Sequence, residues 1–339
     1  MNEAFLPFAL VIMASFFQGT FGLGMKKIAP LAWEAWWLIY AAVGMVAVPC
    51  IWASIAVPSL WASIAGASTS SVLLAASFGF LWGVGGILFG LSVSYIGISL
   101  TYGIVMGLAG SMGSLVPLIQ GEGLSSPAAP HVLAGVATMI AGVAVVAWAG
   151  MRRDQVAEIK GVTRGKQFRV GLLIAVLSGV LSALLNVGFA NAAPVVRAAE
   201  SGGANSRNAS LAAWVVVLAG AFLMNAGYCC FLLLRGRHWR APNSAGSSWT
   251  AAGWAVLTGM LWFAALGVYG QGASLMGSLG PVIGWPMLLG LALIISNFWA
   301  IRAGEWKGAP APMRLMFAGV AILIAACVLL GYSNGLQGA

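Results

Sequence analysis

The sequence predicts an all-α polytopic membrane protein whose ten transmembrane helices form two inverted five-helix repeats. Three observations support this fold class. Hydrophobic residues make up 61% of the chain and charged residues only 7%, whereas soluble proteins contain about 25% charged residues. Long uncharged stretches recur and are continuously apolar, unlike the alternating strands of a transmembrane β-barrel. The second half of the chain also repeats residues of the first half at fixed offsets.

The uncharged stretches locate the ten helices, because a helix needs about 20 apolar residues to cross the hydrocarbon core. Residues 35–121 carry no charge, and turn-forming residues at 58–59, 68–71 and 95–97 divide them into three spans. The predicted spans are 4–25, 35–57, 72–94, 98–117, 131–150, 170–190, 210–234, 249–271, 279–300 and 315–333. The short loops between them leave no room for a soluble domain.

Positive charges fall on one side of the predicted membrane. Of the 16 Lys and Arg residues, 14 lie in odd-numbered loops, and the other two, Arg197 and Arg207, lie in even-numbered loops. Because basic loops stay in the cytoplasm, we predict cytoplasmic odd-numbered loops and both termini outside. We therefore assign the net charge of +9 to membrane-facing loops. The predicted partner of the protein is the lipid bilayer, and no nucleic acid is expected to bind. With no signal-peptide pattern at its start, the chain is predicted to be a multi-pass protein of the bacterial inner (plasma) membrane.

An internal repeat relates the two halves of the chain. Trp82 matches Trp262 at an offset of 180 residues, and Gln18 corresponds to Asn186 at an offset of 168. Each repeat holds five helices, an odd number, so the two repeats face opposite ways across the bilayer. Inverted repeats of this kind suit alternating access.

The repeats define the predicted domain organisation. Residues 1–150 form the first five-helix repeat, residues 151–169 a cytoplasmic linker, and residues 170–339 the second five-helix repeat.

The sequence lacks the residues that several classes of chemistry need. No ionisable residue lies at the centre of any predicted span, where ion pumps usually place one. His131 and His238 are solitary, the four cysteines lie in apolar runs without metal-site spacing, and no phosphate-binding loop is present. We therefore predict that the protein is not an enzyme and that it uses no metal and no cofactor.

The predicted interior is instead rich in neutral hydrogen-bonding groups and aromatic rings. Amides and phenols can replace water on the hydroxyls of a neutral sugar, and flat rings can pack on its C–H face. For each residue alone, packing or an interfacial anchor explains it equally well. The predicted substrate-binding residues are Gln18, Trp82, Tyr102, Asn186, Asn191, Trp262, Tyr269 and Gln271.

Glu34 opens the second predicted helix beside several tryptophans and close to Lys26 and Lys27. It could titrate with substrate binding and couple transport to protons. Alternatively, its role is structural, because an acid in the first turn of a helix is favoured by the helix dipole and could pair with a lysine.

Several motifs together resemble those of the L-rhamnose–proton symporter family, within the drug/metabolite transporter superfamily. They cover most of the chain and are more specific in its first half. The motifs are FGLGMKKIAPLAWEAWW at 21–37, WGVG at 82–85, FGLSVSYIGIS at 89–99, NAAP at 191–194 and GEW at 304–306.

The resemblance implies ten helices, a central sugar site between the halves, and symport of a deoxyhexose with a proton. Lys26, Lys27, Glu34, Asn191 and Glu305 fall on positions that match the family pattern. The resemblance also implies a His and an Asp in the eighth helix and the turn after it, but residues 269–281 contain neither. Any proton or sugar contact made by those two residues in the family would need other side chains here.

The predicted function is import of a small neutral sugar, with L-rhamnose as the expected substrate, by proton symport and alternating access. Two alternatives stay open. One is an exporter or uniporter of another small metabolite, which a lining mainly of Trp, Met and Phe would favour. The other is a membrane receptor or scaffold, which would bind a ligand without moving it.

Overall fold

A computed structural model describes residues 5–121, 123–156, 166–236, 239–240 and 246–336. Over these residues it contains ten helices long and apolar enough to cross a membrane, which confirms the all-helical fold class and each predicted span. The helices are α1 Leu6–Lys27, α2 Trp33–Ala56, α3 Thr69–Ile96, α4 Ile98–Gln120, α5 Ala129–Val156, α6 Gln167–Ser201, α7 Ser206–Leu234, α8 Ser248–Leu275, α9 Gly277–Arg302 and α10 Pro310–Gly335.

Glycines with positive φ occur at several connections between consecutive helices. Gly97 between α3 and α4 has φ of 80°, and Gly277 at the start of α9 has φ of 75°. Glycine adopts this region without the steric cost of a Cβ, so each chain reversal takes only a few residues. The four cysteines are free.

Helices α1, α2 and α6 each contain irregular backbone within the membrane-spanning length. The last turns of α1, Phe21–Lys27, are 3-10 helical, and Ala42–Ala47 within α2 form a π-helical segment. Helix α6 breaks at Ala192 and restarts at Ala193, because Pro194 fits the first turn of a helix where its missing N–H costs nothing. This restart carries α6 to Ser201, eleven residues beyond the predicted end at 190.

The chain packs as two compact units. The first consists of Met1–Gly83 and Gly188–Leu275, and the second of Val84–Val187 and Met276–Ala339. Each unit combines segments from both predicted repeats, so the units do not test the repeat boundaries. The division into inverted repeats stays a prediction.

Close contacts at glycines hold each unit together. In the first unit, a Cβ on Gly44 of α2 would lie 2.9 Å from the carbonyl oxygen of Gly259 in α8. In the second, Gly142 of α5 packs against Leu323 of α10. Small residues allow helix backbones to approach in a bilayer, where no hydrophobic drive brings helices together.

Candidate functional site

The two tryptophans related by the sequence repeat lie against each other in the first unit. The rings of Trp82 on α3 and Trp262 on α8 are stacked, with centroids 5.5 Å apart and an interplanar angle of 22°. Trp262 is buried and Trp82 is partly exposed. The pair presents indole surface of the kind that packs on the C–H face of a sugar.

The aromatic cluster continues from Trp262 onto α2. Tyr40 lies 5.8 Å from Trp262, Trp36 stacks on Tyr40 at 5.9 Å, and Trp37 lies 4.7 Å from Tyr40. Residues three or four positions apart share one face of a helix, so this spacing in the sequence signals the cluster. Tyr40 was nevertheless not among the predicted site residues.

Backbone contact between α2 and α8 sets the position of these rings. A Cβ on Gly44 would lie 3.3 Å from the Trp262 ring, and one on Gly259 would lie 2.8 Å from the carbonyl oxygen of Tyr40. Gly44 belongs to the π-helical segment, and such segments are frequent at functional sites. The two glycines therefore bring Tyr40 and Trp262 into contact.

Three neutral polar atoms of the first unit have no hydrogen-bond partner among the described residues. They are the buried Oε1 of Gln18 on α1, the Nε1 of Trp36 on α2 and the Nε1 of Trp214 on α7. All three helices pack on α8. Leaving a buried donor or acceptor unpaired costs about 1–3 kcal/mol, so a hydroxyl, which both donates and accepts, would stabilise any of these atoms.

Asn225 of α7 connects the cluster to the protein around it. Its Oδ1 accepts a hydrogen bond from Trp37 Nε1 at 2.8 Å, and its Nδ2 donates to the carbonyl oxygen of Ala221 at 2.8 Å. Trp37 also stacks on Trp33 with ring centroids 5.3 Å apart.

Two further predicted site residues of the first unit, Tyr269 and Gln271, have different partners. Tyr269 lies 5.8 Å from Phe189 and 6.2 Å from Trp214, and Gln271 Nε2 donates to Asn208 Oδ1 at 3.1 Å. Asn191, another predicted site residue of this unit, ends the first segment of α6, immediately before the break at Ala192.

The remaining two predicted residues belong to the second unit. Tyr102 packs against Phe89 with ring centroids 6.3 Å apart. Asn186 is fully buried, and its Nδ2 donates to the carbonyl oxygens of Gly113 at 2.8 Å and Pro281 at 2.9 Å. Both N–H groups of Asn186 therefore bind the backbones of α4 and α9 in this conformation, although its sequence counterpart Gln18 has an unpartnered oxygen.

Glu34 is the buried acidic side chain of the described residues, with 3% of its surface exposed. It lies in the first turn of α2, where the helix dipole favours a negative charge. Lys26 and Lys27, at the end of α1, are exposed. Among the described residues, no group of three or more His, Cys, Asp or Glu could hold a metal ion.

The sequence model of one protein family, described as L-rhamnose-proton symport protein, matches residues 6–335 of the chain. The chain belongs to this family. Members named L-rhamnose-proton symporter include a protein of Pectobacterium atrosepticum, 27% identical over 319 residues, which are 90% of this chain and 91% of that protein. One from Yersinia pestis (strain Pestoides F) is 26% identical over 317 residues, again 90% and 91% of the two chains.

A solved crystal structure matches almost the whole length of this L-rhamnose-proton symport family member. The match has a TM-score of 0.57 and 17% sequence identity, and it covers 96% of this chain and 94% of the other. Identity at this level supports a shared fold and carries no functional argument.

Glu305, in the GEW segment at 304–306, belongs to a charged cluster of the second unit. Arg153 Nη1 lies 3.3 Å from Glu305 Oε2, and Arg153 Nη2 lies 2.8 Å from Asp154 Oδ1. The guanidinium of Arg153 also lies 5.0 Å from the centre of the Trp306 ring. In this member of the family, Glu305 therefore joins the end of α9 to the end of α5.

Proposed function

We propose that this protein is a secondary active transporter that imports L-rhamnose together with a proton across the bacterial inner membrane. Membership of a symport family and ten apolar helices support a multi-pass membrane carrier. The relatives named L-rhamnose-proton symporter, aligned over 90% of this chain, favour this sugar and this ion over an exporter, a uniporter or a receptor.

One observation supports the sugar assignment most directly. The stacked Trp82 and Trp262 lie in the same unit as three neutral polar atoms that lack partners among the described residues, which include Gln18 Oε1 and Trp36 Nε1. A sugar offers a C–H face for the rings, together with hydroxyls that donate to an amide oxygen and accept from an indole N–H. A charged substrate would instead need a charged partner in the membrane, which the middle of these helices does not offer.

The proposed sugar contacts follow from this arrangement. Trp82 and Trp262 stack on the ring, Gln18 accepts a hydrogen bond from a hydroxyl, and Trp36 donates one. Four further residues stay proposed sugar contacts, and each needs a test by its own substitution: Tyr102, Asn191, Tyr269 and Gln271. For Asn186 we propose a packing role in this conformation, because both its N–H groups bind backbone carbonyl oxygens.

We propose that Glu34 carries the coupling proton. Its burial is the supporting observation, because a buried carboxylate is costly and taking up a proton removes the charge. Asp154, Glu200 and Glu305 are more exposed than Glu34, so their charges are better solvated. No cofactor besides the proton is proposed.

We further propose that the odd-numbered loops are cytoplasmic, that both termini lie outside, and that two inverted repeats, 1–150 and 170–339, exchange conformations during transport. The distribution of Lys and Arg supports this orientation. A protease-cleavable tag added before Met1 should be cut by protease added outside intact spheroplasts. Cleavage only after lysis would reverse the orientation.

The test of the function is counterflow in proteoliposomes that contain the purified protein and unlabelled L-rhamnose. We expect labelled L-rhamnose outside to enter by saturable exchange, with unlabelled L-rhamnose competing and an uncharged hexose of different shape competing less. Liposomes without protein are the control. If labelled L-rhamnose does not exchange while another small metabolite does, the substrate assignment is wrong; binding without any exchange would support a receptor.

A further inference from the structure

We propose that Asn225 is a positioning residue of the sugar site: it fixes the indole of Trp37 against Tyr40 and so sets the affinity for the sugar without contacting it. The inference rests on the sugar transport proposed above. It adds a residue that is not among the predicted site residues.

The hydrogen bonds of Asn225 fix its side chain in one orientation. Asn225 lies on α7 with 5% of its surface exposed, and a buried amide in a membrane helix needs partners inside the protein. Its Nδ2 donates to the carbonyl oxygen of Ala221, four residues earlier on the same helix. The Oδ1 therefore points away from its own helix, and it receives the indole N–H of Trp37 from α2.

The Asn225 bond closes a circuit of contacts through the site. Trp37 packs on Tyr40, Tyr40 on Trp262, and Trp262 on Trp82. Trp82 is next in the chain to Gly83 on α3, and a Cβ on Gly83 would lie 3.0 Å from Asn225 Nδ2. Asn225 Nδ2 therefore lies near the backbone beside Trp82, at one end of the circuit, and its Oδ1 binds Trp37 at the other.

Because the circuit is closed, the orientation of Trp37 affects the rings on which the sugar is proposed to stack. A tryptophan side chain can occupy several rotamers, and the bond from its N–H to a fixed oxygen selects one. Without that bond, Trp37 can rotate away from Tyr40, and Tyr40 no longer supports Trp262 from one side. The sugar then has to order these rings when it binds, which weakens binding without changing its contacts.

The experiment measures KM and maximal rate of L-rhamnose counterflow for Asn225→Leu, Trp37→Phe and the double variant. Asn225→Leu keeps the shape of the side chain but removes the acceptor, and Trp37→Phe keeps an aromatic ring but removes the donor. We expect each single change to raise KM about threefold to tenfold, the equivalent of one neutral hydrogen bond. The double variant should show a KM close to that of the worse single variant, because both changes remove the same bond.

Asn297→Leu is the matched control. Asn297 of α9 makes the same bond to a carbonyl four residues earlier, to Leu293 at 2.9 Å, but belongs to the second unit. We expect its KM to equal that of the unchanged protein. A purely structural role for Asn225 would lower the amount of folded protein and the maximal rate while leaving KM unchanged, and this result would overturn the inference.

Two further outcomes separate this inference from the proposed function. If the unchanged protein exchanges L-rhamnose but the Asn225 and Trp37 effects on KM multiply, the two residues act independently and the inference fails alone. If the unchanged protein exchanges no L-rhamnose, the proposed function fails and the inference fails with it. If Asn225→Leu does not fold, the KM of Trp37→Phe still tests the inference. An unchanged KM for Trp37→Phe overturns the inference, and a raised KM supports it.

Discussion

Buried polar side chains of the two packing units differ in where their hydrogen bonds go. In the second unit, Ser114 and Asn186 bind backbone carbonyl oxygens of neighbouring helices, and Trp285 Nε1 donates to the carbonyl oxygen of Ala109 at 3.0 Å. In the first unit, Gln18 Oε1, Trp36 Nε1 and Trp214 Nε1 have no partner among the described residues, and both tryptophans pack on other aromatic rings.

The difference separates two uses of the same residue types. An amide or indole that binds a neighbouring backbone holds helices together, and replacing it should cost stability. One with an unpaired atom carries an energetic cost in the protein alone, which a ligand hydroxyl can remove. Among the described residues, the unpaired atoms of the second unit are His131 Nδ1 and Trp306 Nε1, and both lie near helix ends, as Trp36 does. Gln18 and Trp214 of the first unit lie farther inside their spans.

The largest expected effect comes from removing an aromatic surface of the first unit. Trp82→Ala deletes one ring of the stacked pair and should raise the KM of L-rhamnose counterflow about 100-fold, the equivalent of about 2.7 kcal/mol of lost burial and stacking. Trp148→Ala, an exposed tryptophan of the second unit, is the matched control and should leave KM unchanged. Equal effects of the two changes would remove the distinction between the units.

Glu34→Gln tests proton coupling within the first unit. An outside pH one unit lower than inside supplies about 1.4 kcal/mol per proton, enough for a tenfold accumulation of the sugar. Because the amide cannot release a proton, we expect accumulation to be lost while exchange of labelled for unlabelled sugar continues. Glu200→Gln changes an exposed acid and should leave accumulation intact. If the Glu34→Gln protein still accumulates sugar tenfold, Glu34 serves only to start α2.

The sequence was sufficient to predict the ten helices, because the thickness of the hydrocarbon core sets their length and the apolar composition of each stretch shows that length directly. It also related Trp82 to Trp262, which the structure places in contact. Helix α6 runs past its predicted end because the restart at Ala193 depends on the backbone geometry that Pro194 tolerates. Hydropathy reports where a chain is apolar and is insensitive to such a break.

Other features depend on neighbours that no local pattern reveals. The contact of Gly44 with Gly259 and the π-helical segment of α2 place Tyr40 against Trp262, and neither follows from helical periodicity. Asn186 was predicted to bind substrate as the counterpart of Gln18. Its bonds to α4 and α9 instead depend on how closely three backbones approach, which a repeat in sequence does not determine.

Gln18→Leu and Asn186→Leu therefore form a direct test of the comparison between the units. Gln18→Leu removes an unpaired oxygen, so we expect KM to rise about threefold to tenfold with thermal stability unchanged or higher. Asn186→Leu leaves the carbonyl oxygens of Gly113 and Pro281 without their donor, which should lower stability by about 1–3 kcal/mol with KM unchanged. Thermal unfolding in detergent and counterflow measure the two properties. The reverse pattern would assign sugar binding to Asn186 and packing to Gln18.

The smallest expected effect concerns the charged cluster at the ends of α5 and α9. Glu305→Gln removes one partner of Arg153, but the Glu305 side chain is 37% exposed and Asp154 still binds the same guanidinium. Exposed ion pairs contribute about 0–1 kcal/mol, so stability should fall by no more than that, and less at high salt. Counterflow KM should not change, because the cluster belongs to the unit whose polar groups hold helices. A raised KM for Glu305→Gln would mean that this cluster affects the sugar site, and the functional contrast between the two units would then be wrong.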